Sequence, residues 1–489
     1  MFRIFTRFLR SQYFLLSLIV ALGFLVRLYK IDNPIADWHS WRQADTASVT
    51  RIFIERGIDP LHPRYHDISF LQTGKFNPSG WRFVEFPIFN IVHAIFVRSF
   101  PQFSLEMWGR LVSVISSTFS IFLIFLLGRR FLGFAGGTLS AFFFAFIPFN
   151  IYFSRVILPE AMSVTFALLA LVIFTWWFDT GKRQTLFWAG IAFALSLLIK
   201  PYTIFYAVPM LWLIGKKFSW QWRKMFNNRE LWVFAGLSFL PLIGWRIWML
   251  QYPEGIPFYS WVFNGDGIRF RPSFWRWIFG ERLGRLILGG WGTTLFVSGL
   301  LAKARKAEFG FIPALALGMF AYVSVIATAN VRHDYYQTLV IPAVALVLAR
   351  GVLFLWESEF TNRLLTRLLV VVVIVWTIIF PFYEIRELYK VNHPELLRAG
   401  TALDNIAPKD ALVVAPYNGD TAFLYQTKRS GWPYQTNSIE ELISFGADYY
   451  ISVNLNDPQT LDVMRKFEIP AQTDEYVIVD LGKHRQPTK

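Results

Sequence analysis

The sequence predicts a polytopic all-α membrane protein with a small α/β domain at its C-terminal end. Three observations predict it. Apolar stretches near the ~20 residues needed to cross a bilayer recur along most of the chain. Only 17% of the 489 residues are charged and 54% are hydrophobic, with mean hydropathy +0.40, whereas a soluble domain carries about a quarter charged residues. From residue 390 onward the composition turns ordinary. The apolar runs lack the strict alternation of an outer-membrane barrel.

Composition also excludes chemistry. The chain has no cysteine, which removes disulfides, thiolate metal sites and cysteine nucleophiles. A net charge of +15 would suit nucleic acid, but in a membrane chain lysine and arginine positions report orientation. No nucleic-acid partner is expected. "MFRIFTRFLR" and the run after it resemble a signal peptide without a small-residue cleavage site, so they read as an uncleaved first helix.

Candidate spans are 12–29, 107–127, 132–150, 161–178, 186–199, 201–214, 231–250, 286–302, 310–327, 338–357 and 365–383, with ends good to about 3 residues. "FPIFNIVHAIFVRSF", residues 86–100, is too short and too interrupted by Asn90 and His93 for a span. It fits an interfacial or re-entrant helix. Charge supports that choice. With 86–100 kept outside, the inner connections collect Arg3, Arg7, Arg10, Arg129, Arg130, Lys182, Arg183, Lys216, Lys217, Arg223, Lys224, Arg229, Lys303, Arg305, Lys306 and Arg363. The short outer ones hold Arg155, Lys200 and Arg332. Counting 86–100 as a span inverts this bias, against the positive-inside rule. About 11 transmembrane helices follow, with the N-terminus cytoplasmic and the C-terminus outside.

The predicted organisation is a membrane module over 1–389, with outer loops 30–106 and 251–285, and a soluble extracytoplasmic domain over 390–489. In the tail, "ALVVAP", "DYYISVN" and "EYVIVDL" read as strands. "SIEELISFG" reads as a helix with Ser438 as N-cap and Gly446 as stop.

Every unusual polar cluster falls on the outer side. "ADWHSWRQADT" offers Asp37, His39, Arg42 and Asp45, and Glu85 closes that loop. "SRVILPE" offers Arg155 and Glu160, "LIKPY" offers Lys200, and "NVRHDYYQ" offers Arg332, His333, Asp334, Tyr335 and Tyr336. Arg269, Arg271, Arg276, Arg282 and Arg285 break the charge bias in the second outer loop. Arginine's planar fork suits phosphate, and such a patch equally suits lipid headgroups. Ionisable groups at membrane depth are functional candidates because burying them costs several kcal/mol unless they are paired or used. Carboxylates near cations suit attack of a hydroxyl on a phosphate-activated group, an aspartate taking the proton and cations stabilising the departing phosphate. The bland alternatives are Asp37 as a helix cap, Asp45 paired with Arg42 or Arg51, and Arg155 paired with Glu160. Trp38 and Trp41 could line a sugar or lipid pocket.

"HSWRQADTA", "VEFPIFNIVHAIF", "GRLVSV", "LGRRFLG", "SRVILPE" and "RHDYYQTLVIPAVALVLARG" together resemble the GT-C superfamily of membrane glycosyltransferases. The likeness lies with the bacterial branch akin to protein O-mannosyltransferases and lipid A aminoarabinose transferases, over residues 10–390. The tail "LYQTKRSGWPYQTNSIEELISFGADYYISVN" resembles tails of some members. The resemblance implies a GT-C-like bundle whose long first outer loop forms juxtamembrane helices. It also implies an aspartate base in that loop. Aligned on Ala47, the Asp-Glu pair of many relatives falls on Arg42 and Gln43, so the candidates are Asp45, favoured because it lies inside "WRQADT", and Asp37. Relatives often carry Glu-Lys-Pro-Pro where this chain has Glu85, Phe86 and Pro87. The phosphate-binding cation is then sought among Arg155, Lys200, Arg332, Arg269 and Arg271, with His333 and Tyr336 beside them. Glu85, Glu160, His39 and Arg42 are the acceptor-orienting candidates. Glu160 resembles an acidic second-loop position that helps bind metal in oligosaccharyltransferases. A divalent cation, Mg or Mn, with Asp45 and Glu160 as ligands, is the cofactor left open.

The implied function is inverting transfer of a sugar from a polyprenyl-phosphate donor to a hydroxyl of a lipid, glycan or protein, on the outer face of the plasma membrane. The partners are that donor, that acceptor and membrane lipids. A ligase or polymerase using lipid-diphosphate glycans is the rival enzyme. A flippase would show internal repeats and charges spread through both membrane halves, and the chain shows no repeat.

Overall fold

The computed structural model describes residues 12–304, 309–359, 362–435 and 437–484. Residues 1–11, 305–308 and 360–361 of the predicted inner connections lie outside the described residues. The chain forms two compact units. One comprises Met1–Ile31, Arg110–Arg246 and Tyr259–Leu388; the other comprises Asp32–Gly109, Ile247–Phe258 and Tyr389–Lys489.

Long apolar helices dominate the first unit. Among the described residues, 5 stretches are long and apolar enough to cross a membrane: Leu105–Phe146, Glu160–Thr180, Arg229–Met249, Asp334–Glu357 and Arg363–Ile406. Shorter apolar helices include Tyr13–Arg27, Arg183–Ile199, Gly292–Leu301 and Phe311–Val325. The chain has the character of a multi-pass membrane protein. The predicted spans 107–127 and 132–150 fall on two helices within Leu105–Phe146 that part at Gly133, whose φ of 80° and ψ of −178° leave the helical region. Such backbone suits a residue without Cβ. The predicted span 286–302 is cut to Gly292–Leu301, because a π-helix over Arg276–Ile287 takes up the preceding residues. The predicted span 201–214 is a 3-10 turn, Pro201–Tyr206, running into the helix Ala207–Lys217.

Two buried arginines tie this unit together through backbone carbonyls. Arg27 donates to Gly23 O, Ala145 O and Ser154 Oγ at 2.7, 2.9 and 2.8 Å. Arg350 donates to Gly299 O and Ala302 O at 2.8 and 2.6 Å. Both meet carbonyls near helix ends, which have no partner within their own helix and attract cations.

In the second unit the helices Ser40–Arg56 and Ile88–Ser99 pack together, with Val49, Phe53, Tyr65 and Ala94 buried between them. Asn90 fixes the crossing by donating to Thr46 O at 2.7 Å and Thr50 Oγ1 at 3.1 Å. A five-stranded sheet follows, in spatial order β2-β1-β3-β5-β4, with β1 Leu412–Val414, β2 Gly431–Trp432, β3 Ala447–Ser452, β4 Phe467–Gln472 and β5 Val477–His484. β1 runs parallel to β2 and β3, while β5 pairs antiparallel with β3 and β4. Alternation sorts the side chains onto two faces. Val414, Tyr450, Val477 and Val479 fill one core, and Val413, Ile451 and Ile478 the other. Ser438 caps the helix Ile439–Ser444, accepting from Glu441 N at 3.1 Å.

The first outer loop enters this sheet. Ile68 N donates to Gly431 O at 3.0 Å and Gly431 N to His66 O at 2.9 Å, extending the edge beyond β2. Ile68 is thereby buried in the first core, a contribution of about 1.5–3 kcal/mol for a side chain of its size. Position 431 requires glycine, since a Cβ would stand 1.8 Å from Val413 O.

Candidate functional site

In the second unit the candidate residues cluster at the start of the helix Ser40–Arg56. His39, in left-handed conformation (φ 57°), turns the chain into it and gives no side-chain cap. Asp37 is not a cap either. It is buried and accepts from Gln43 Nε2 at 2.7 Å, so the helix's own first turn holds it. Arg42 pairs with Glu85.

Asp45 has a different surrounding. Its Oδ2 accepts from Arg82 Nη2 at 2.6 Å and from Gln72 Nε2 at 3.4 Å, and its Oδ1 from Thr421 Oγ1 at 2.7 Å. Its side chain has 0% exposure. Arg82 also bonds Gln72 and lies 4.8 Å above the Tyr65 ring. Three distant stretches of chain thus meet on one carboxylate. The alternative pairings with Arg42 or Arg51 do not form: Arg42 goes to Glu85, and Arg51 lies 3.4 Å from Glu106.

Two further carboxyls sit in this region. Burial raises Asp67 to about 6 against the bonds from Ser69, and burial with the nearby Asp45 charge raises Asp420 to about 6 against its bond from Ala422 N. Burial also pushes the His66 imidazole well below its ordinary range, helped by Arg51, Arg56 and Arg429.

In the first unit the candidates form a chain of contacts. Glu160 opens the helix Glu160–Thr180 behind Pro159, where a helix N-terminus favours negative charge. Lys200 ends the helix Arg183–Ile199, in an extended conformation that the following proline favours. Lys200 Nζ lies 2.6 Å from Glu160 Oε1, with side chains 5% and 1% exposed. The ammonium lies 5.3 Å from the Tyr336 ring centroid and 5.8 Å from that of Tyr202. His333 stacks on Tyr335 and Tyr336 at 5.5 and 6.2 Å and meets Trp261 edge-on at 5.7 Å. Arg332 lies 5.6 Å from the Trp261 ring and 3.1 Å from Asp266, whose backbone carbonyl accepts from Arg271 at 3.2 Å. Lys200, Tyr336, His333, Arg332 and Arg271 therefore follow one another side by side.

Other candidates lie elsewhere in contact terms. Arg155 is fully buried, donates to Lys30 O at 2.8 Å and makes no pair with Glu160, which belongs to Lys200. Arg269 donates to Val325 O at 3.3 Å, and Arg282 pairs with Asp334. Arg82, Gln72, Thr421, Tyr202 and Asp266 were not singled out from sequence. Arg82 stands three residues before Glu85 and Tyr202 in "LIKPY", quoted for Lys200; Thr421 carried no signal at all.

Among the described residues no group of three His, Asp or Glu side chains has the arrangement of a metal site. The two suggested ligands are also committed: Asp45 to Arg82 and Thr421, Glu160 to Lys200. A divalent cation does not fit these carboxylates as they are held.

The sequence model of the dolichyl-phosphate-mannose-protein mannosyltransferase family matches residues 87–248. A search of curated proteins returned no match. Among solved structures, ArnT from Cupriavidus metallidurans bound to undecaprenyl phosphate aligns with a TM-score of 0.63 at 12% identity, over 96% of this chain and 98% of that one. The archaeal oligosaccharyltransferase AglB from Archaeoglobus fulgidus, in complex with an inhibitory peptide and a dolichol-phosphate, aligns with a TM-score of 0.56 at 11% identity, over 94% and 73%. At such identities these structures speak to fold. The chain thus resembles the GT-C membrane glycosyltransferases, in sequence over residues 87–248 and in fold along nearly its whole length.

Proposed function

We propose that the protein is an inverting glycosyltransferase of the plasma membrane that moves a sugar from a polyprenyl-phosphate donor to a hydroxyl of a lipid, glycan or protein acceptor on the extracytoplasmic face. The observation that carries the reading is the buried Lys200, aimed by Glu160 and followed by Tyr336, His333 and Arg332. An ammonium walled by aromatic rings offers a compact charge to a lipid phosphate. ArnT, which shares the fold, was solved with such a phosphate.

The acceptor oxygen attacks the anomeric carbon from the face opposite the phosphate, and the bond from that carbon to the phosphate oxygen breaks. The acceptor proton passes to an aspartate, and the polyprenyl phosphate leaves with the bonding electrons, its charge met by Lys200 and Arg332. We assign the base to Asp37, which lies just ahead of the helix Ser40–Arg56 and is held by Gln43, and a structural role to Asp45, whose oxygens meet Arg82 and Thr421. Arg155, bonded to a backbone carbonyl, shapes the unit instead of binding donor. No step runs through a metal.

The test is sugar transfer from a panel of short-chain polyprenyl-phosphate sugars by wild type, Asp37→Asn and Asp45→Asn. Turnover by wild type that disappears in correctly folded Asp37→Asn supports the reading. Turnover with lipid-diphosphate glycans alone would replace it with the ligase reading. The proposed topology, with about 11 crossings, is separately testable because the chain has no cysteine. A single cysteine at Gly181 should react with an impermeant reagent only from inside, and one at Asn264 only from outside.

A further inference from the structure

We infer that the C-terminal module supplies positioning residues for the carboxylate centre, Thr421 foremost, by bracketing the backbone on both sides of Asp37. The inference rests on the reading of Asp37 as base. It starts from a short helix, Thr421–Gln426, opened by Asp420, whose carboxylate accepts from Ala422 N at 2.7 Å. Thr421 is buried, with Oγ1 2.7 Å from Asp45 Oδ1 and 3.1 Å from Trp41 O. One hydroxyl proton serves both acceptors, and the shorter contact is to Asp45. At the other end of the same helix, Gln426 Nε2 donates to Ile35 O at 2.9 Å. One contact therefore falls before Asp37 and two fall after it, while Gln43 of the same helical turn holds the Asp37 carboxylate at 2.7 Å.

A third tie lies further along. Arg51 donates to Tyr425 O at 2.9 Å with its guanidinium 3.8 Å from the Tyr425 ring, and the Tyr425 hydroxyl donates to Glu106 at 2.5 Å. Mere adhesion of the tail needs none of these polar contacts, because Ile68 and Phe76 in the first core already join loop and sheet. The polar contacts gather instead on the turn that carries Asp37. Misplacing a reacting group by an ångström costs up to about a hundredfold in rate, so a hydroxyl that holds the backbone at Trp41, four residues from Asp37, is expected to show in turnover.

The experiment compares Thr421→Val, Thr421→Ser and Gln426→Leu in the full-length protein. Three readouts are kcat, KM for the polyprenyl-phosphate donor, and amide hydrogen exchange over residues 35–46. Thr421→Val is expected to lower kcat about ten- to a hundredfold with donor KM unchanged, and to speed exchange in that segment. Thr421→Ser, which keeps the hydroxyl, should restore both. Gln426→Leu, at a more exposed position, should move both in the same direction by less. Wild-type kcat and exchange in Thr421→Val would overturn the inference, as would equal impairment of Thr421→Ser. Should wild type transfer no sugar from any monophosphate donor, the functional reading fails while hydrogen exchange still decides whether Thr421 and Gln426 hold the turn.

Discussion

Each unit of the molecule buries an ion pair with the same 2.6 Å separation, and the two are built for different ends. In the second unit, Arg82 and Asp45 are laced by Gln72, Thr421 and the Tyr65 ring. In the first, Lys200 and Glu160 stand between the rings of Tyr202 and Tyr336. Arginine's rigid fork commits several donors in fixed directions, and lysine's ammonium is a point charge on a flexible stem that can be re-aimed. The laced arginine pair joins chain segments; in the function we propose, the lysine pair keeps a cation for an incoming anion. Burial alone does not distinguish a structural charge from a working one.

The largest expected effect separates the two aspartates of one motif. Asp37→Asn should cut turnover by about 10²–10⁴-fold, the usual share of a general base, with an unchanged melting curve in detergent. Asp45→Asn should do the reverse. Leaving Arg82 buried without its counter-charge is expected to destabilise by about 3–5 kcal/mol, read as a lowered melting temperature of the second unit. A melting curve for Asp45→Asn that matches wild type would return Asp45 to candidacy as the base.

The next contrast is between the cations. Lys200→Met should weaken binding of a short-chain polyprenyl phosphate about ten- to a hundredfold, the worth of a hydrogen bond to a charged group at about 1.5–3 kcal/mol, whereas Arg82→Met should act on stability. Equal donor affinity in wild type and Lys200→Met would remove the lysine pair from the donor site.

The smallest effect concerns pH. Asp420 is raised to about 6 by burial and the Asp45 charge. A carboxyl that is harder to ionise when folded binds more protons folded than unfolded, so its contribution to stability falls as pH rises from about 4 to 6 and is level above. Asp420→Asn keeps a capping side chain and abolishes that fall. Relative to wild type, the variant should gain up to about 2 kcal/mol between pH 4 and 7 in denaturation experiments. Parallel pH profiles for the two proteins would refute it.

Hydrophobic length and charge bias revealed most of the helices, because both are local properties of a chain facing lipid. The C-terminal strands centred on Val413, Tyr450 and Val479 were legible for a similar reason, their alternation matching a two-faced sheet. Short or irregular pieces were not. β2 has only two residues, and β4, although it alternates Phe467, Ile469 and Ala471 with Glu468, Pro470 and Gln472, carries a proline that reads against a strand. The two helices within Leu105–Phe146 part at Gly133, a few residues beyond the break expected at the arginine pair, because the backbone there needs a residue without Cβ. The site residues were legible by type and side but not by partner. Nothing near Asp45 announces Arg82 or Thr421, because those contacts depend on distant segments meeting. Likewise Arg155 and Arg269, which read as phosphate ligands, spend donors on backbone carbonyls.

The bond from Thr421 to Asp45 spans 376 residues of sequence. On a ribosome adding about 5–20 residues per second, the first outer loop waits about 20–75 s for its partner to emerge. During that interval Asp45 and Arg82 have no Thr421, and the edge at His66 to Ile68 has no strand to meet. Completion of the carboxylate centre is therefore tied to synthesis of the tail. A chain stalled before Thr421 lacks one of the three side chains that hold the Asp45 carboxylate.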